Sequence, residues 1–214
     1  MSADNEFEVT CLLIRHGKTE GNLEKRYIGA GSDEELCERG VEELKAVREK
    51  LFSSKETADI INASKLFSSP MLRCIQSAEI LFDKMPVIVN ELRETDFGDF
   101  EGKNYFDLKD NEYYQKWIDS NGELPFPNGE CKADFKKRSY EAFLQTVLYY
   151  APENKELAFV IHGGSIMGIL STLTGRDYYD FQVGCGEGFI VKLLIKGDTV
   201  SVLSLHSFDG RIYT

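Results

Sequence analysis

The sequence predicts an α/β fold, a three-layer sandwich in which a mostly parallel central sheet is flanked by helices on both faces. Three observations predict it. Short strand-like runs (9–14, 65–68, 86–90 and 157–161) alternate with segments of helical apolar spacing, the order of a covered parallel sheet. Two of these runs end in His-Gly, at Arg15-His16-Gly17 and at His162-Gly163-Gly164. In open α/β sheets ligands bind at the carboxyl ends of strands. The composition, 42% apolar and 29% charged over 214 residues, is that of a folded chain long enough for one large core.

The elements follow in order. The apolar stretch 9–14 predicts a buried strand, and 17–32, with Gly21, Gly29 and Gly31, a long loop. Val41, Leu44, Val47 and Leu51 have helical spacing and predict a helix over 38–52. A short strand is expected over 65–68. Pro70 is read as opening a helix that runs to about Phe82, because a first-turn proline costs no hydrogen bond. A third strand is expected over 86–90, then an acidic, glycine-rich loop over 91–102. The aromatic segment 103–129 (Tyr105, Phe106, Tyr113, Tyr114, Trp117, Phe126) reads as a helical insert or cap, and Tyr113, Tyr114 and Trp117 read first as its core. A helix over 131–150, a strand over 157–161 and a helix over 165–173 follow. Segments 189–196 and 199–205 read as an antiparallel pair around Gly197-Asp198. The whole chain, 1–214, is expected to be a single domain.

Several function classes are disfavoured. The net charge is −11, and no basic tract offsets it, so nucleic acid and anionic membrane are not expected partners. No apolar run approaches the roughly 20 residues of a membrane span. The stretch Met1–Glu8 is acidic and lacks the basic and apolar regions of a secretory signal. The cysteines (11, 37, 74, 131 and 185) are odd in number, widely spaced and without a CxxC, so a reduced protein of the cytoplasm is expected, with no disulfide framework or zinc site.

Four motifs line up after four predicted strands: Arg15-His16-Gly17; Ser68-Ser69-Pro70-Met71-Leu72-Arg73; Leu92-Arg93-Glu94 through Gly102; and His162-Gly163. In this order the chain resembles the histidine phosphatase superfamily, also called phosphoglycerate mutase-like, from about residue 9 to residue 190. The resemblance implies that His16 is the histidine that becomes phosphorylated. Arg15 and Arg73 would hold the phosphate, His162 would contact the phosphoryl oxygens, and Glu94 would protonate the leaving oxygen. Asn22 matches a loop asparagine that touches phosphate. Thr19, Arg26, Tyr27 and Gly163 match positions that line the pocket. Glu94 competes with Glu91, Asp96, Asp99 and Glu101 in the same loop, and alignment with the family favours Glu94; Asp99 and Glu101 read as loop-ordering acids.

The chemistry is coherent without the family. Neutral imidazole accepts and releases a phosphoryl group readily. Arginine donates two hydrogen bonds to phosphate at once. Two arginines beside His16 disfavour its cationic form. A carboxyl group beside a phosphate dianion has a raised pKa and can supply the leaving group's proton. Neither metal nor cofactor is expected, because the arginines and His162 offset the charge. The chain departs from the family at Lys18, where glutamate is frequent, and at Cys37 and Cys131, where threonine and serine are frequent.

Within the family the short, acidic insert favours a phosphatase acting on a small phosphomonoester. Tyr113 to Trp117 followed by Pro127-Asn128-Gly129-Glu130 looks most like α-ribazole phosphatases of cobalamin nucleotide-loop assembly. The alternative is an isomerase, phosphoglycerate mutase. A non-catalytic phospholigand-binding relative would have lost His16, Arg73 or Glu94, and none is lost. A homodimer stays open.

Overall fold

The computed structural model describes residues 6–197 and 199–213. Asp198, expected in the last hairpin turn, and residues 1–5, part of the acidic amino terminus, lie outside the described residues. The order is β1 (Glu6–Arg15), α1 (Glu20–Leu23), α2 (Glu38–Ser53), α3 (Lys55–Ala63), β2 (Lys65–Ser68), α4 (Leu72–Phe82), β3 (Val87–Ile88), α5 (Tyr105–Leu108), α6 (Glu112–Asp119), α7 (Lys132–Tyr150), β4 (Glu156–Ile161), α8 (Gly163–Thr174), β5 (Gly188–Lys196) and β6 (Thr199–Ser207). Short 3-10 turns cover Asn90–Leu92, Gly98–Phe100 and Tyr178–Phe181.

The six-stranded sheet runs β3-β2-β4-β1-β5-β6. The first four strands are parallel, and β5 and β6 add antiparallel at one edge. Side chains alternate along a strand, and here the alternation builds two cores. Cys11 and Leu13 of β1, with Phe67, Phe159 and Ile161, pack under α7 and α8. Leu12 and Ile14, with Leu66, Ala158 and Val160, pack under α2 and α4. A third, smaller core joins the insert to the loop before it, where Phe100, Leu108, Tyr114 and Phe126 are buried together. Among the described residues no helix is long and apolar enough to cross a membrane.

The structure differs from the sequence reading at four places. Pro70 does not open a helix: α4 begins at Leu72 with Met71 as N-cap, and the Asp33 carboxylate accepts the Leu72 amide at 2.6 Å. The segment 55–63, to which no element was assigned, is α3. Within the loop 17–32 a single helical turn forms, because Thr19 and Asn22 make a reciprocal capping box. The third strand shrinks to two residues. The cysteine departures also acquire a role, since Cys37 and Cys131 are the N-caps of α2 and α7. Their sulfurs accept the amides of Gly40 and Asp134 at 3.3 and 3.4 Å, the position where a hydroxyl is preferred.

Candidate active site

The parallel strands β1, β2 and β4 deliver their carboxyl ends to one edge of the sheet. His16 N donates to Ile161 O at 3.0 Å and Ser69 N to Val160 O at 3.1 Å, so Arg15-His16, Ser69 and His162 are held side by side by backbone bonds. His16 is buried, with Nδ1 2.6 Å from Gly17 O. A neutral ring that donates from Nδ1 to this carbonyl presents the Nε2 lone pair. Burial first, then the charges of Arg73 and Arg15, hold its pKa well below the ordinary imidazole range. Gly17 fits closely here: a Cβ would lie 2.6 Å from Leu44 Cδ1, and that side chain would have to shift. Its amide donates to Ser77 Oγ at 2.9 Å, and Ser77 Oγ donates to Arg73 O at 2.6 Å. Ser77 thereby ties the loop of the nucleophile candidate to α4.

Arg73 is fully buried, not a helix-surface arginine. Its acceptors are carbonyl oxygens, those of Ser32 at 2.9 Å and Gly29 at 3.1 Å. Arg15 donates to Val183 O at 2.7 Å. The Nε atoms of both arginines are buried with no partner among the described residues. A buried and a half-buried cation satisfied only by carbonyls favour an anionic ligand. Gly163, the first residue of α8, abuts Arg15; a Cβ there would meet Nε at 3.3 Å.

His162 is the N-cap of α8 and is fully buried. Ser69 Oγ lies 2.7 Å from its Nε2 and fixes the ring, and its centroid is 5.2 Å from that of His16. Burial, followed by Arg73, lowers its pKa well below the usual range. Glu94 Oε2 is 3.9 Å from His162 Nδ1. Burial raises the Glu94 pKa, against the opposing pull of the Thr95 amide, Arg73 and Arg15. Gly164 makes room for this carboxyl, since a Cβ there would be 2.7 Å from Glu94 Oε1. The competing acids are occupied elsewhere: Glu91 pairs with Arg93, Asp96 accepts the Gly98 amide, Asp99 accepts from Asn128, and Glu101 accepts the Gly29 amide.

The remaining expected positions divide. Thr19 is buried and Asn22 half-buried, linked in their capping box beside Cys185. Tyr27 reaches Tyr114 Oη at 3.2 Å and lines a cavity with Glu94. Arg26 is not brought in among these groups: it ties its loop to the insert through Gly102 O at 2.7 Å and Asp107 at 3.1 Å. Lys18 adds no free cation, because Glu43 of α2 pairs with it at 2.8 Å.

Sequence reasoning missed Arg138. From α7 it donates Nη1 to Glu91 O at 2.7 Å and Arg93 O at 3.1 Å, and Nη2 to Glu94 O at 3.4 Å. Glu130 completes a bidentate pair at 2.9 and 2.7 Å. The signal was present: Arg138 lies three residues after Phe135 and four before Ala142, both buried, so it shares their helix face. Ser69 and Ser77 were also missed as site-ordering groups.

The chain is similar to known proteins in both sequence and fold. The family model described as "Histidine phosphatase superfamily (branch 1)" matches residues 11–207. A 2,3-bisphosphoglycerate-dependent phosphoglycerate mutase of Methylorubrum extorquens is 28% identical, over 90% of this chain and 92% of its own length. The structure of a phosphoserine phosphatase from Entamoeba histolytica in complex with 3-phosphoglyceric acid superposes with a TM-score of 0.73 at 25% identity, covering 92% of this chain and 96% of that one. The α-ribazole phosphatase from Shigella flexneri superposes with a TM-score of 0.70 at 25% identity, covering 91% and 94%.

Proposed function

This chain belongs to the histidine phosphatase superfamily, whose members are phosphatases or mutases, and from that premise we propose that it hydrolyses phosphomonoesters through a phosphohistidine formed at Nε2 of His16. The observation that carries the reading is His16 itself: Nδ1 is committed to Gly17 O, and burial, together with the buried Arg73 and the half-buried Arg15, lowers the pKa of the ring.

In the first step Nε2 forms a bond to phosphorus as the ester bond breaks. Arg15, Arg73 and the imidazole of His162 stabilise the phosphoryl oxygens. The proton of Glu94 goes to the departing alkoxide, and its raised pKa supplies the protonated form. In the second step water attacks phosphorus. Glu94, now a carboxylate, takes the water's proton; the phosphorus–nitrogen bond breaks, and His16 is restored with phosphate released. The positive groups are local, within a chain of net charge −11, so affinity for a phosphate dianion comes from the cleft and not from the overall field.

The finer assignment is α-ribazole 5′-phosphate, supported by the insert motif and by the fold shared with the Shigella enzyme. The mutase reading is favoured by curated relatives such as the Methylorubrum enzyme. Purified protein assayed against a panel of phosphomonoesters, with 3-phosphoglycerate and 2,3-bisphosphoglycerate among them, separates the two. A phosphatase releases inorganic phosphate; a mutase isomerises 3-phosphoglycerate and depends on the bisphosphate.

A further inference from the structure

Glu94 also lines a cavity of about 200 Å³. Glu94 and Thr95 form one wall, and the rings of Tyr27, Phe97, Trp117, Phe126 and Tyr178 form much of the rest. The cavity therefore lies on the side where Glu94 would meet a leaving oxygen. A cavity of roughly 150 Å³ lined by apolar groups accepts benzene, so this one has space for a ring. Its walls are themselves in ring-to-ring geometry: Tyr27 meets Trp117 at 90° and Phe97 meets Phe126 at 84°. Such edges and faces favour a further arene over an aliphatic group of equal size.

Charge narrows the ligand further. Lys132 is the cation that lines the cavity among the described residues, and it is already engaged. Glu123 pairs with it at 2.7 Å, and its Nζ lies 4.9 and 5.0 Å from the ring centroids of Tyr178 and Tyr179. A leaving group bearing a carboxylate would meet an aromatic wall and a neutralised lysine. The indole Nε1 of Trp117 is buried with no partner among the described residues, a donor that an acceptor on a ligand would satisfy.

We propose that this cavity is the leaving-group subsite and that it takes a planar aromatic ring carried by the alcohol of the phosphomonoester. The proposal rests on the phosphatase reading above and names the substrate class of that same site. Trp117, on α6, is the principal recognition residue.

The test compares 2-phenylethyl phosphate with 2-cyclohexylethyl phosphate, two primary-alcohol esters of similar size that differ in the ring. The phenyl ester should be preferred in kcat/KM by about threefold to tenfold, the scale of an aromatic pair beyond plain area burial. Trp117→Ala should shrink that preference to within about twofold, since the lost partner is the source of the difference. Trp117 is also the chain's single tryptophan, so titrating the unaltered protein with the non-hydrolysable 2-phenylethylphosphonate should change its fluorescence saturably. The cyclohexyl phosphonate should require higher concentrations. Turnover of both esters without preference, together with no fluorescence change, overturns the aromatic subsite and leaves the phosphatase reading standing. Saturable, ring-selective binding without turnover of any ester supports the subsite and overturns the phosphatase reading.

Discussion

Glu94 Oε2 lies 3.9 Å from His162 Nδ1, a carboxyl group raised above its usual pKa facing an imidazole lowered below its own. Two such groups in water would form an ion pair. Here burial is the leading cause of both shifts and favours both neutral forms. Burial thus shifts Glu94 toward its protonated form and His162 toward its neutral one, the sense that a proton donor to a leaving alkoxide requires.

If Glu94 supplies that proton, its removal matters most for poor leaving groups. Glu94→Gln should slow alkyl phosphate hydrolysis by about two to four orders of magnitude, the scale of general acid catalysis. The loss with p-nitrophenyl phosphate should be much smaller. The kcat of the unaltered enzyme for the alkyl ester should fall as pH rises through the elevated pKa of Glu94, and Glu94→Gln should abolish that alkaline limb. Asp96→Asn should leave the leaving-group dependence intact; if it erases the dependence, the acid is Asp96.

Arg138 holds the backbone that presents Glu94, through the carbonyls of Glu91, Arg93 and Glu94. Arg138→Met should lower alkyl phosphate turnover by about tenfold to a hundredfold, the cost of a misplaced group, and p-nitrophenyl phosphate turnover by less. It should also shift the alkaline limb, which simple loss of stability would not do. Equal losses on both substrates with an unmoved limb would mean that Arg138 only stabilises the fold.

The two depressed histidines make stability pH-dependent. As pH falls through the unfolded-state imidazole pKa of about 6.5, the unfolded chain takes up protons that folded His16 and His162 refuse. Above that pH neither state carries the charge and no penalty exists. The melting temperature should therefore drop as pH is lowered from about 7 to 5. His16→Gln, measured by the same scan, should flatten part of the drop. An unaltered slope would mean that folded His16 protonates as readily as the unfolded residue.

Cysteine sulfur is a weaker acceptor than the hydroxyl usual at an N-cap. Cys131→Ser should raise the melting temperature modestly by strengthening the bond to the Asp134 amide at the start of α7. A decrease measured by calorimetry would show that the sulfur contributes through packing instead.

The strand ends were legible because the chemistry-bearing residues follow directly on apolar runs: Ile14 precedes Arg15-His16, and Ile161 precedes His162. The helical layers on both faces follow from the alternation of strands with helices, whereas the order of the strands is seen only in the structure. Three features were not legible. α3 is a nine-residue helix starting after Ser53-Ser54, a pair that reads as loop. Pro70 looked like a first-turn residue, yet the Asp33 carboxylate, distant in sequence, takes the Leu72 amide and sets the start of α4. Lys18 sits next to His16-Gly17 in sequence, but its charge is answered by Glu43, 25 residues on. For Pro70 and Lys18 the deciding partner is non-local, and periodicity carries only local information.

The central claim is that His16 Nε2 carries the phosphoryl group, and rapid-quench mass spectrometry during turnover of a phosphomonoester tests it most directly. The account predicts acid-labile phosphate on His16 alone, at Nε2, accumulating within a single turnover and absent from inactive His16→Ala. Phosphate on His162, on a serine such as Ser69, or at Nδ1 of His16 would contradict it.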